Sequence, residues 1–217
     1  LQGLDGMTQG SFSAWAYFTT NGQEAIIDKT TTGIKNYFQL IKDTNNKLRL
    51  LMDNPSTTSI NMTSSTTLML NTWHHCAVVW DGLSVKMYVN GILENSVNIG
   101  ADIDVNSVAV LLGKVENNSA YLSGKLDEVQ TYTMALSLAE IQALYNEQQS
   151  YFINAFTTCD TTTLGVDTTT YIGPNGCEVT DINITSLQSP INNQGLVAYY
   201  KLDGDVKDGS GYGNNGT

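Results

Sequence analysis

Three carboxylates, Asp203, Asp205 and Asp208, sit in a tail rich in Gly and Asn that runs from Asp203-Gly204 to Asn214-Asn215. Calcium takes such carboxylates together with inward-turned backbone carbonyls, because the ion wants about six to eight oxygens. The alternative is a chain of Asx turns with solvated carboxylates. A second acidic pair, Asp127 and Glu128, is adjacent in Leu126-Asp127-Glu128-Val129. On a regular strand these neighbours point to opposite faces. They could not then flank one glycosidic bond. His74 and His75 are adjacent and diverge for the same reason, so structural roles are expected for both. The chain carries no G-x-S-x-G elbow, phosphate loop or zinc-type Cys/His spacing.

The three cysteines divide into two kinds. Cys76 lies in the apolar run His75-Cys76-Ala77-Val78-Val79-Trp80, where a buried free thiol is expected. Cys159 and Cys177 flank a loop rich in Thr and Gly with little to bury. A Cys159–Cys177 disulfide would hold that loop, and the chain-entropy argument makes it worth about 3 kcal/mol. Ten basic against 21 acidic residues give a formal charge of -11. That field repels phosphate backbones and argues against nucleic-acid binding. No apolar run is long enough for a membrane span. The chain begins mid-phrase with Leu1-Gln2-Gly3-Leu4, which reads as a mature or trimmed piece of a secreted or cell-surface precursor.

The elements that must position these groups are strands. Ser11-Phe12-Ser13-Ala14-Trp15-Ala16-Tyr17-Phe18 places Phe12, Ala14, Ala16 and Phe18 on one face and Trp15 and Tyr17 on the other. Further strands are expected at 25–27, 37–41, 47–52, 73–80, 85–89, 92–94, 108–112 and 125–132. Asp43-Thr44-Asn45-Asn46, Asp81-Gly82 and Asn90-Gly91 supply turns between them. Strands at this spacing indicate an all-β sandwich or barrel. Ser137-Leu138-Ala139-Glu140 is a capping box, opening one short edge helix at about 137–148 with Leu138, Ile141, Leu144 and Tyr145 on its apolar face. Trp15, Trp73 and Trp80 all lie in apolar strands, where packing is the expected role. Three regions follow: a sandwich over 1–149, a Thr/Asn-rich insert or linker with the disulfide loop over 150–194, and a strand with its Asp/Gly/Asn loop over 195–217.

Two segments resemble a known family. Gly124-Lys125-Leu126-Asp127-Glu128-Val129-Gln130-Thr131-Tyr132, with Ala135-Leu136-Ser137 and Glu140-Ile141, is similar to the closing strand and helix of laminin-G-like, concanavalin A-type jelly rolls. Trp73-His74-His75-Cys76-Ala77-Val78-Val79-Trp80-Asp81-Gly82, with Lys86-Met87-Tyr88-Val89-Asn90-Gly91, resembles the hairpin of the same family. With Phe12-Ser13-Ala14-Trp15, the resemblance covers about residues 8 to 146. It implies a two-sheet antiparallel jelly-roll sandwich. The glucanases of this fold carry an E-x-D-x-x-E strand, which this chain lacks, so a non-enzyme is expected. Gly195-Leu196-Val197-Ala198-Tyr199-Tyr200-Lys201-Leu202-Asp203-Gly204 looks like the opening strand of such a domain, placed here at the far end of the chain. In the family that strand lies beside the closing strand. The resemblance therefore implies that Asp127 faces the Asp208 loop, where it would help the calcium expected at Asp203 and Asp208 from the loop's own oxygens.

The function expected is extracellular, non-catalytic recognition or adhesion, with a glycan or an extracellular protein as ligand. One alternative is a structural subunit of a surface filament or array, with identical subunits joined by strand exchange through Leu196, Ala198, Tyr200 and Leu202. That strand could fill its groove within one chain or between chains, and the second is the reading favoured by the sequence. A polysaccharide-active enzyme is the remaining alternative.

Overall fold

The apolar alternation of the first strand is realised in a computed structural model that describes residues 4, 6–30, 38–53, 59–98, 108–116, 119–146, 170–172, 178–180 and 194–216. In β1 (Gly10–Phe18), the side chains of Phe12, Ala14, Ala16 and Phe18 enter the main core, and Trp15 and Tyr17 face away from it. Two antiparallel sheets enclose that core. The five-stranded sheet comprises β2 (Glu24–Lys29), β3 (Phe38–Lys42), β4 (Lys47–Asp53), β5 (Ser59–Thr67) and β9 (Leu111–Leu112), in the order β5-β4-β3-β2-β9. The six-stranded sheet adds β6 (Trp73–Trp80), β7 (Val85–Val89), β8 (Ile92–Val97), β10 (Gly124–Tyr132) and β13 (Leu196–Tyr200) to β1, in the order β13-β10-β1-β6-β7-β8. This is the jelly-roll sandwich expected. A separate hairpin pairs β11 (Thr170–Ile172) with β12 (Glu178–Thr180).

Leu40, Leu48, Leu50, Ile60 and Met62 meet Cys76, Val78, Trp80 and Met87 across the sandwich. The turns use the chemistry their residues offer. Asp43 Oδ1 accepts from Asn45 N at 2.8 Å and Lys47 N at 2.9 Å, and Asp81 Oδ1 accepts from Leu83 N and Ser84 N. β5 was not expected from the sequence, because seven of its nine residues are Ser, Thr or Asn or lie on the outward face. Glu94 of β8 fastens its end, accepting from the backbone N–H groups of Ser65 and Thr66 at 2.8 Å each.

The helix α1 spans 138–146 among the described residues and lies on the outer face of the six-stranded sheet. Its capping box forms: Ser137 N donates to Glu140 Oε2 at 2.7 Å, and Glu140 N donates to Ser137 Oγ at 3.3 Å. Ile141 and Leu144 pack on Ala77, Val79, Tyr88, Tyr132 and Leu196. Leu138, expected on that apolar face, is exposed instead. It sits in the first turn, a position that Leu136 already covers from the sheet side. No described helix is long and apolar enough to cross a membrane.

β13 occupies the place expected of the opening strand. It pairs antiparallel with β10 of its own chain, Val129 opposite Tyr200 and Thr131 opposite Ala198. Ala198 and Tyr200 enter the main core, and Leu196 packs beneath α1. Leu202 packs partly against the main core. Most of the 150–194 segment, with Cys159, Cys177 and their expected bridge, lies outside the described residues.

Candidate functional site

Three surfaces carry polar or aromatic groups arranged by these strands. The first is the outer face of the five-stranded sheet. Direct cross-strand partners Asp28, Gln39, Leu51 and Asn61 form one row across β2, β3, β4 and β5, and Arg49 opposite Thr63 begins the next. The row spans three strand spacings, about 14 Å. Gln39 Nε2 donates to Asp28 Oδ1 at 2.7 Å. Asp28, fully buried, also accepts from Thr30 Oγ1 at 2.8 Å and Glu116 N at 2.9 Å. Arg49 Nε donates to Asn61 Oδ1 at 3.0 Å. Asn61 is exposed, and Gln39, Arg49, Leu51 and Thr63 are partly exposed. The stretch made of residues 113–116 and 119–122 packs Val115 and Ala120 onto Ala25 and Ile41, beside this row. It carries an exposed Tyr121, with Lys114 Nζ at 6.0 Å from the ring centroid. A file of amide, guanidinium and hydroxyl groups fixed from behind, next to an exposed ring, can hydrogen-bond a polyhydroxylated ligand without reorganising.

The second surface is the outer face of the six-stranded sheet beyond α1. Tyr17 of β1 is the direct partner of Trp73 on β6 and of Lys125 on β10; in the next row Trp15 faces His75 and Asp127. The Tyr17 and Trp73 rings lie 5.5 Å apart at 58°, and Lys125 Nζ is 5.9 Å from the Tyr17 centroid. Trp15 and Trp80 are packed as expected, whereas Trp73 is partly exposed. Gly124 makes this pairing possible, since a Cβ there would stand 1.8 Å from the Tyr17 carbonyl oxygen.

The opposite-face reading of Asp127 and Glu128 does not hold. The register of β10 on β1 slips between Ser13 and Trp15, and Glu128 adopts φ 49°. This bulge inserts one residue. Asp127, opposite Trp15, faces outward; Val129 faces the core; and Glu128 between them bonds the hydroxyl of Tyr199, which also lies on the outer side. Burial raises the Glu128 carboxyl above its ordinary value, with the Tyr199 bond and Lys201 opposing and Asp127 and Asp203 adding to the rise. Asp127 is raised by burial as well, against its bond from Glu128 N and with help from Asp203. The histidines do diverge. His74 Nε2 meets Met69 O at 3.1 Å, and His75 Nε2 meets Ser13 Oγ at 2.7 Å. His75 is fully buried between Trp15 and Tyr145, and burial pushes its pKa down to about 3.

The third surface is the tail loop. Asp208 Oδ1 accepts from Tyr199 N at 3.0 Å and Ser210 N at 2.9 Å, and Oδ2 accepts from Asn214 N at 2.9 Å. Gly209 N donates to Tyr199 O, and Ser210 Oγ and Asn214 Nδ2 donate to Val197 O. The loop thereby covers the outer edge of β13. Asp203 lies near enough to Asp127 to raise it, but Asp208 is turned onto backbone N–H groups. Among the described residues no three His, Cys, Asp or Glu side chains gather in one cluster, so Asp127, Asp203 and Asp208 are not brought together as one carboxylate set.

Sheet order, edge helix and hairpin motifs define a lectin-type sandwich. The profile of the concanavalin A-like lectin/glucanases superfamily matches residues 3–142, and the chain belongs to that family. No curated protein matches it in sequence. Among solved structures it is similar to a putative carbohydrate binding protein from Bacteroides ovatus, at 18% identity and TM-score 0.58, covering 92% of this chain and 46% of that one. It is also similar to domain 4 of AbnA, an extracellular arabinanase from Geobacillus stearothermophilus, in complex with arabinotriose (20% identity, TM-score 0.55, 66% and 69% covered). A third is the CBM40 of the Ruminococcus gnavus IT-sialidase bound to α2,3 sialyllactose (19% identity, TM-score 0.55, 64% and 84% covered).

Proposed function

We propose that this chain is a non-catalytic glycan-recognition module of a secreted or cell-surface protein, and that it takes its ligand on the outer face of the five-stranded sheet. The observation that carries the reading is the cross-strand row Gln39, Leu51 and Asn61 with Arg49 beside it, in which buried Asp28 fixes Gln39 at 2.7 Å and Asn61 fixes Arg49 at 3.0 Å. Sugar hydroxyls need paired donors and acceptors at fixed spacing, and a pre-bonded row loses little side-chain freedom on binding. Likeness to carbohydrate-binding domains of similar fold supports the class. A non-catalytic role is supported in two ways. The chain lacks the E-x-D-x-x-E strand of the glucanases of this fold, and Glu128 is engaged with the Tyr199 hydroxyl.

The test is a glycan array with the full chain, followed by titration calorimetry on the best ligand. Arg49→Ala with Asn61→Ala should weaken binding by roughly tenfold or more, about 1.4 kcal/mol, without lowering the melting temperature. An array without a hit, or a double variant that binds as the parent does, refutes the reading. Hydrolysis of any bound glycan would refute its non-catalytic part.

A further inference from the structure

The geometry points to a covalent cross-link at one end of the five-stranded sheet: an amide between Lys42 Nζ and Asn46 Cγ, formed in the folded chain with Glu24 as proton carrier and with loss of ammonia. Glu24 and Lys42 are direct partners across β2 and β3. Asn46 follows Lys42 across the turn into β4, where its N–H donates to Asp43 O at 3.0 Å and its carbonyl accepts from Leu68 N at 2.7 Å. Lys42 Nζ donates to Asn46 Oδ1 at 3.0 Å, lies 3.3 Å from Glu24 Oε1, and bonds Gly22 O as well. The Lys42 side chain is fully buried, and that of Glu24 is 3% exposed. Lysine normally keeps its ammonium in water; this one ends inside, 5.5 Å from the centre of the Phe18 ring. Glu24 is itself held in place, accepting from Thr20 Oγ1 at 3.0 Å and from Ser123 N at 2.7 Å. The carboxamide of Asn46 points the other way, its Nδ2 donating to Asn21 Oδ1 at 2.8 Å at the exposed rim, so ammonia released there passes straight to solvent.

A buried ion pair often adds no stability over apolar packing, because both charges give up their hydration. The same burial favours chemistry. One proton moved from Nζ to Glu24 Oε1 leaves a neutral amine beside a neutral acid, an exchange that a low-dielectric site favours more than water does. The amine is then a desolvated nucleophile held against a carboxamide. Cγ of Asn46 lies one C=O bond, about 1.2 Å, beyond Oδ1, and a turn about Cβ–Cγ presents its face to Nζ. The Nζ lone pair bonds Cγ; Glu24 protonates Oδ1 and takes a proton from Nζ. Glu24 then protonates Nδ2, the Cγ–Nδ2 bond breaks, and the hydroxyl on Cγ returns its proton to Glu24 as C=O re-forms. One C–N bond forms, one breaks, ammonia leaves, and nothing is oxidised or reduced. The test is the mass of the full chain, purified folded and measured after reduction, which should be lower by one ammonia, about 17 Da. Trypsin should fail to cut after Lys42, leaving the peptide 36–47 whole and lighter by that amount. Cleavage on the N-terminal side of Asp43 should then leave its two halves joined, which an Asn46 cyclised onto its own backbone would not do. Glu24→Gln and Asn46→Ala should each restore the full mass. Full mass in the folded parent, a loss that does not join Lys42 to Asn46, or an equal cross-link in Glu24→Gln overturns the proposal. The parent's mass and peptide map need no variant, so the test stands even where Glu24→Gln folds poorly.

Discussion

Asp208 offers the sharpest test of how the molecule is closed. Its carboxylate accepts three backbone N–H groups, from Tyr199, Ser210 and Asn214, and these bonds lay the tail loop along the free edge of β13. Hydrogen bonds to an ionised acceptor are worth about 1.5–3 kcal/mol each when buried; in a loop that water reaches, roughly 0.5–1 kcal/mol apiece is the better figure. Asp208→Ala should therefore cost about 1.5–3 kcal/mol, or about 3–12 °C of melting temperature for a chain of this size. Asp208→Asn should fall between, since one carbonyl oxygen can still accept from Tyr199 and Ser210 while the amide nitrogen faces the N–H of Asn214. Partial burial raises the Asp208 carboxyl, but the bonds from Ser210, Tyr199 and Asn214 outweigh it, and its pKa lies below the ordinary value. The sign follows: its contribution is complete at neutral pH and fades as the pH falls through the lowered pKa. Thermal melts of parent and variants with calcium and with EDTA decide the matter. A neutral Asp208→Ala refutes the hub. A parent whose melting temperature drops in EDTA to that of Asp208→Ala would make the carboxylate a calcium ligand, as the sequence suggested.

Two further outcomes are expected. His75 takes up its proton near 6.5 in the unfolded chain and near 3 when buried, so stability should fall as the pH drops from 6.5 towards 3, by up to about 1.4 kcal/mol per pH unit. Urea melts of the parent and His75→Leu across that window should differ in slope by about one proton, and parallel curves would show that His75 does not govern the acid limb. Burial pushes the Cys76 thiol up to about 12, so native protein should resist iodoacetamide at Cys76, while non-reducing peptide mapping should recover Cys159 linked to Cys177. Alkylation of native Cys76, or a linked peptide containing it, would show the assignment wrong.

Most of the sandwich was legible because its strands alternate cleanly against one core. Phe12, Ala14, Ala16 and Phe18, the Asn90-Gly91 turn and the Ser137/Glu140 box each carry a local signal that the fold did not override. β5 was not legible: Ile60 and Met62 supply almost all its inward surface, and the Thr and Ser around them read as a loop. The polar row on the five-stranded sheet was missed for a related reason. Gln39, Arg49 and Asn61 are scattered in sequence, and only the register of three strand pairs brings them together. Trp73 was expected to pack and does so against Tyr17, but at the start of β6 it stays partly exposed. A count along the strand from Cys76, which must face inward, would have placed Trp73 outward.

The bulge at Glu128 shows why the acids of β10 could not be read from period two. Val129 has to keep its place in the core, because Ala198 and Tyr200 of β13 close the sandwich beside it. Inserting Glu128 in the left-handed region leaves Val129 inward and turns both acids outward. Glu128 then bonds the Tyr199 hydroxyl, so the same residue that breaks the alternation ties β13 to β10 on the outer face. The tail loop, through Asp208, secures the other edge of that strand. The surroundings of Asp127 and Glu128 are thus completed by the docking of β13. If β13 left its groove, Glu128 would lose its Tyr199 partner, and Asp203 would leave the vicinity of Asp127. Asp127 and Glu128 thus keep their Asp203 and Tyr199 neighbours only while the last strand is seated.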